Sequence, residues 1–387
     1  MEEYFYPVES TILSPDEPYV HDDLFNGISK YDRKGKFPVI SKNTIVIFGV
    51  EEERGAFNNE GCCGINNIRE KLYRLKKHGN SSDIADLGNL IPGASLADTY
   101  AAIAEITSEL YLQKAIPFIL GGSQDLTYGH YAGYKKLEEI INIVSVDARF
   151  DLGKPEDELH AGSFLGKIIL EQPNYLFNFS NIGYQTYFVG QENVELMRKL
   201  FFDTFRLGHI RTDLTEAEPV IRAADLLTFD LSCIRQSEAP GNKNASPNGF
   251  NGEEACQMMY YAGASDKLSG IGIYEYNPTL DRDFQTAHLV AQMAWYFMEG
   301  VAQRQMDLPL NNSNNYITYR VAVKNLETEI VFIKSIKSDR WWMKLPFDPT
   351  SNRFTHQHMM PCSYKDYKQA CNNEVPDRWW NSLQKLV

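Results

Sequence analysis

The sequence lacks the features that would send the chain to a membrane, a secretory route or a nucleic acid. No segment approaches the roughly 18 uninterrupted apolar residues of a helical span. The opening residues, MEEYFYPVES, have neither a basic start nor an apolar run, so they do not read as a secretory signal. Cysteine is sparse. The six residues Cys62, Cys63, Cys233, Cys256, Cys362 and Cys371 follow no framework spacing, which predicts reduced thiols and a cytoplasmic location. Basic residues are outnumbered, 38 Lys and Arg against 51 Asp and Glu, for a net charge of -13. Such a chain has no cationic excess to displace counterions from phosphates, which argues against a general nucleic-acid binder. The basic run RLKK (74–77) reads as a solvated helix end.

What is present is an alternation. From residue 43 onward, short β-branched or apolar runs at 44–50, 116–120, 141–147, 175–182, 226–230 and 271–275 are separated by longer amphipathic segments. Ile65, Ile68, Leu72 and Leu75 share one helical face, and the segments 99–112 and 284–301 show the same period. The pattern predicts an α/β fold with three α/β/α layers and a mostly parallel, doubly wound sheet. Three units follow: an N-terminal segment (1–42), an α/β domain (43–303) and a C-terminal extension (304–387) that starts at the polar linker NNSNN. The extension carries strand-like runs at 316–323 and 330–336 and the tetrapeptide DRWW twice, at 339–342 and 377–380. The paired tryptophans predict a clamp onto the main domain; a protein-binding anchor is the sharper alternative, because Trp and Arg are enriched in binding hot spots.

In an open parallel sheet, ligands bind beyond the carboxyl ends of the strands. Gln124 and Asp125, then Asp147, Arg149 and Asp151, then Asp230 and Ser232, and finally Glu275 fall at those ends. Three aspartates in one crevice raise one another's pKa unless a cation neutralises them.

These strand ends resemble those of the ureohydrolases, the family of arginase, agmatinase and formimidoylglutamase. The resemblant motifs are GGSQDLTYG (121–129), VDARFD (146–151), FDLSCIRQSEAPG (229–241) and EYNPTLD (275–281). The resemblance implies an arginase-like fold, trimers or hexamers, and two manganese ions held by six ligands. Carried over position by position, Asp147, Asp151 and Asp230 match retained ligands. Gln124 and Arg149 replace histidines, and Ser232 replaces an aspartate.

One hard-oxygen site for manganese or magnesium is therefore expected at Asp147, Asp151, Asp230 and Gln124, or no metal at all. Arginine has donors only and cannot ligate. Arg149 is expected to stand in for the second cation through charge-assisted hydrogen bonds to the carboxylates, with Ser232 removing a charge to match. The resemblance also gives Glu275 the place facing a substrate's cationic carbon and His160 that of a proton shuttle, with Asp151 as the third residue that an active enzyme would use. Asn277 and Asp281 read as loop-fixing residues, and Arg235 and Glu238 as residues shaping the pocket. His356, His358 and Cys362 lack the partners of a zinc pattern. Two functions stay open: a binding, sensing or scaffold protein for a cationic guanidino or amidine molecule, and a single-metal hydrolase of such a compound.

Overall fold

The computed structural model describes residues 1–32, 36–56, 64–77, 82–154, 156–309, 315–324, 326–346 and 358–385. Cys62, Cys63, His356 and most of the NNSNN linker lie outside these residues. Ten strands make the main sheet: β1 (Phe5–Tyr6), β2 (Ile28–Lys30), β3 (Ile45–Val50), β4 (Ile84–Leu90), β5 (Ile116–Gly121), β6 (Ile141–Val146), β7 (Leu176–Tyr184), β8 (Asp203–Arg206), β9 (Leu226–Asp230) and β10 (Gly270–Tyr274). Their order is β1-β4-β3-β5-β10-β9-β6-β7-β8, with β2 also beside β4. Only β1 runs antiparallel to its neighbour.

The apolar runs become strands because both faces of the sheet are covered. Every residue of β3, β5, β6, β9 and β10 is buried, as a parallel sheet between helical layers requires. The helices Ile65–Tyr73, Gly252–Gly263 and Gln285–Ala302 pack on one face, and Leu96–Leu112 and Leu126–Lys136 on the other. Capping boxes start two of them, Ser95 with Asp98 and Asn251 with Glu254, each satisfying orphan amide groups of the first turn.

Strand β4 was not expected from the sequence, because Asp86 and Asn89 interrupt its apolar run. Asp86 is nonetheless fully buried: Arg69 Nε donates to it at 2.9 Å, Arg69 Nη2 at 3.1 Å and the Tyr73 hydroxyl at 2.8 Å. A carboxylate so paired can sit in a core. Residues 1–42 supply β1 and β2 and thereby extend the sheet beyond β4.

The C-terminal extension builds its own antiparallel sheet, β11 (Tyr316–Val321), β12 (Ile330–Ser335), β13 (Trp341–Lys344) and β14 (Met359–Cys362), followed by the helices Tyr364–Cys371 and Asp377–Gln384. It has a separate apolar core. Arg222, at the end of the helix Ala217–Arg222, joins it to the main domain. Its Nη2 donates to the Trp341 and Cys362 carbonyls at 3.1 and 3.3 Å, and its guanidinium lies 4.6 Å from the Trp342 ring. Further contacts run from Arg340 to the Ala264 carbonyl and from Asn381 to Asp203. All three main-domain residues lie at or just before the amino ends of β8, β9 and β10.

Candidate functional site

Strands β5, β10, β9 and β6 are adjacent at the centre of the sheet, so their carboxyl ends place Gln124, Glu275, Asp230 and Asp147 side by side. Backbone amides then fix each carboxylate. Asp147 accepts from the Arg149 amide at 2.8 Å, Asp230 from the Ser232 amide at 2.6 Å and Glu275 from the Gln124 amide at 2.9 Å. Asp151 and Glu275 hold φ of 50° and 71°. Non-glycine residues in this left-handed region cost on the order of 1 kcal/mol each and cluster at functional sites.

The aspartates converge on one atom. The end of the Gln124 amide lies 3.0 Å from Asp151 Oδ2, 3.1 Å from Asp147 Oδ2 and 3.2 Å from Asp230 Oδ2. Among the described residues, no group of three or more His, Cys, Asp or Glu side chains forms a metal cage by itself; here an amide completes the set. Two chemistries fit. With nitrogen facing the aspartates, the amide donates to all three. With oxygen there, it stands about 3 Å from one oxygen of each aspartate, and these four hard oxygens would hold one divalent cation.

Electrostatics favour filling the site. Burial pushes the carboxyls of Asp147, Asp151 and Asp230 above their usual range, and repulsion from Asp147 adds to the shift of the other two. Burial likewise pushes Glu275 up to about 7. A divalent cation would offset this repulsion, so the residues present fit one ion at Asp147, Asp151, Asp230 and Gln124.

The positions that the resemblance gives to a second ion are different. The Ser232 hydroxyl is buried and, among the described residues, has no partner at full hydrogen-bond geometry, although it stands near enough to Asp230 to lower that carboxyl's pKa. The Arg149 guanidinium does not take the expected charge-assisted hydrogen bonds: among the described residues, no carboxylate lies within ion-pair distance of it. It lies over the Phe188 ring at 4.5 Å, and it lowers the pKa values of Asp147 and Asp151 only through space. Stacking on the ring is open to it because guanidinium is planar and weakly hydrated.

Gln124, Arg149, Asp151, Asp230 and Glu275 open on a cavity of about 350 Å³, lined also by Phe188, Asn193, Lys243 and Asn244. The last four were missed in the sequence. Lys243 and Asn244 follow APG after a single intervening residue, Asn242, which was a usable signal; Phe188 lies outside every motif. Ala161 and Gly162 line the cavity, whereas the His160 ring accepts from the Gly162 amide at 3.1 Å and stands 3.8 Å from Asp157. Asp125 faces away, taking the Tyr100 hydroxyl in a buried contact. Arg235 pairs with Glu238 at 3.8 Å, and Glu238 accepts from the Gly252 amide. This pair ties the loop after β9 to the start of the helix Gly252–Gly263, and neither residue lines the cavity, contrary to the expectation that they shape it. Asn277 accepts from the Thr279 amide, and Asp281 caps the helix Gln285–Ala302 through the Thr286 and Ala287 amides.

Known proteins carry the same framework. The formimidoylglutamase of Streptococcus gordonii is 27% identical over 289 residues, 69% of this chain and 87% of its own. The formimidoylglutamase of Bacillus subtilis superposes with a TM-score of 0.67 at 18% identity, covering 76% of this chain and 97% of that one. The Trypanosoma cruzi formiminoglutamase with Mn2+ gives 0.62 at 20% identity, covering 68% and 94%. The arginase family model matches residues 43–299, well over half of the chain and all four site-bearing strands, and the protein therefore belongs to the arginase family.

Proposed function

We propose that this family member binds a small cationic amidine or guanidino compound in the cavity beside a single divalent cation, and that it has lost dimanganese catalysis. Asp147, Asp151, Asp230 and Gln124 hold the cation, manganese or magnesium. When bound, it would supply Lewis acidity to a water or ligand atom. Glu275 faces the ligand's cationic head and orients it by charge-assisted hydrogen bonding. The observation that carries this reading is the pair Arg149 and Ser232: one cannot ligate and stacks on Phe188, and the other has a buried hydroxyl with no partner at full hydrogen-bond geometry among the described residues.

Elemental analysis after purification with excess manganese tests it. About one ion per chain is expected. About two would overturn the account of Arg149 and Ser232. None would remove the cation and leave the Gln124 amide as the group that satisfies the aspartates. The triple variant Gln124→His, Arg149→His, Ser232→Asp should raise the count to about two.

A second reading, slow single-metal hydrolysis, draws on Glu275, a carboxyl that lines the cavity beside Gln124 and is placed to take and return a proton. Release of formamide from N-formimidoyl-L-glutamate, or of urea from agmatine or arginine, would support it. Absence of turnover by a metal-loaded, ligand-binding protein would leave the binding function alone.

A further inference from the structure

The cavity is divided in charge. Its floor is acidic, with Asp151, Asp230 and Glu275, while Arg149 and Lys243 bring positive charge to the same space. An arginine serving only to balance the floor would fold onto the aspartates, since guanidinium–carboxylate bonds are among the strongest a side chain makes. Asp147 and Asp151 are each two residues away in sequence, yet Arg149 is stacked on Phe188 at 4.5 Å. With the guanidinium held over the ring and no carboxylate paired to it among the described residues, its N–H donors stay available to a ligand. Phe188 is itself 36% exposed and lines the cavity, so the pair forms a preset wall of the pocket. A bidentate donor beside an acidic floor is complementary to a ligand with an amidine at one end and a carboxylate at the other.

We propose that Arg149 is a specificity-determining residue: it takes the carboxylate of an amidino or formimidoyl amino acid and so favours acidic amidines over amidines with a neutral or cationic tail. This rests on the amidine reading above. It also assigns the anion contact to a position where the resemblance expects a metal-binding histidine. The volume of about 350 Å³ suits a small amino-acid derivative.

Titration calorimetry on the full-length, manganese-equilibrated protein tests the proposal with three probes. N-formimidoyl-L-glutamate has both ends, agmatine has a guanidinium and no acid, and glutarate has acids and no amidine. The wild type should bind formimidoylglutamate at least about tenfold more tightly than agmatine. Arg149→Gln should erase that preference, leave agmatine unchanged or tighter, and abolish glutarate binding. Arg149→Lys keeps the charge without the fork; it should weaken formimidoylglutamate severalfold and serves if the glutamine variant does not fold. Equal weakening of both amidines, or an unchanged preference, would overturn the assignment. If neither amidine binds the wild type, the amidine reading fails, and glutarate alone still decides whether Arg149 is an anion anchor.

Discussion

His130 sits in the helix Leu126–Lys136 with both ring nitrogens unpartnered among the described residues, beside the stacked pair Tyr111 and Tyr134, whose rings lie 6.1 and 6.5 Å from it. Burial pushes its pKa down to about 3 from 6.5. The folded state therefore binds fewer protons than the unfolded state between these values, and stability is lost as pH falls below 6.5. At pH 5 the loss should be about 2 kcal/mol relative to pH 8. Raised carboxyls such as Glu275 shift stability the opposite way over this range, so the test is a difference: urea unfolding should show that going from pH 8 to pH 5 costs His130→Phe about 2 kcal/mol less than it costs the wild type. Glu275 gives the opposite kind of test. In the metal-free protein burial pushes its carboxyl up to about 7, so there a cationic ligand head should bind more tightly at pH 8 than at pH 6. In Glu275→Gln, calorimetry should show weak binding at both. The retained aspartates and the replacements at 124, 149 and 232 were readable from the sequence because each falls in a motif at a strand end. The stacking of Arg149 was not, since Phe188 comes from a loop between β7 and the helix Gln191–Lys199 and only the folded chain brings the two together.

The two DRWW copies form different elements. The first enters strand β13, with Trp341 stacked on Tyr319 and Tyr367 at 5.2 and 5.1 Å and Trp342 sealed against Arg222. The second opens the helix Asp377–Gln384, where Trp379 is buried and its Nε1 donates to the Lys344 carbonyl at 3.2 Å. Three of the four rings thus pack inside the protein, while Trp380 is 45% exposed. Trp342, against Arg222, meets the main domain as the clamp expected from the sequence would, whereas Trp341 and Trp379 pack in the extension's own core and Trp380 faces outward. Trp342→Ala or Trp379→Ala should cost about 3–5 kcal/mol, whereas Trp380→Ala should stay within about 0.5 kcal/mol; denaturant melts of the three variants make the comparison. Elements with an apolar run were legible from the sequence, such as β9, where expectation and structure agree at both ends. Elements stabilised by a polar partner elsewhere in the chain were not: β4 depends on Arg69 and Tyr73. Strands β13 and β14 are only four residues each and leave too short a pattern.

Across the whole molecule, ligand-facing and extension-facing surfaces lie at opposite ends of the parallel strands. The cavity is built on the carboxyl ends of β5, β6, β9 and β10, and the extension docks at the amino ends of β8, β9 and β10. Unfolding and ligand binding should therefore separate. Trp379→Ala should lower the melting temperature while leaving the affinity for an amidine ligand within about twofold, measured by calorimetry below the transition. A parallel loss of affinity would mean that the extension shapes the cavity from a distance.

The same arrangement bears on how the protein can be handled. Strands of five or six residues at about 3.3 Å each separate the two ends by roughly 20 Å, more than two Debye lengths at physiological salt. A tether, fluorophore or sensor surface joined after the helix Asp377–Gln384 would then sit behind the sheet, leaving the mouth of the cavity facing the solution.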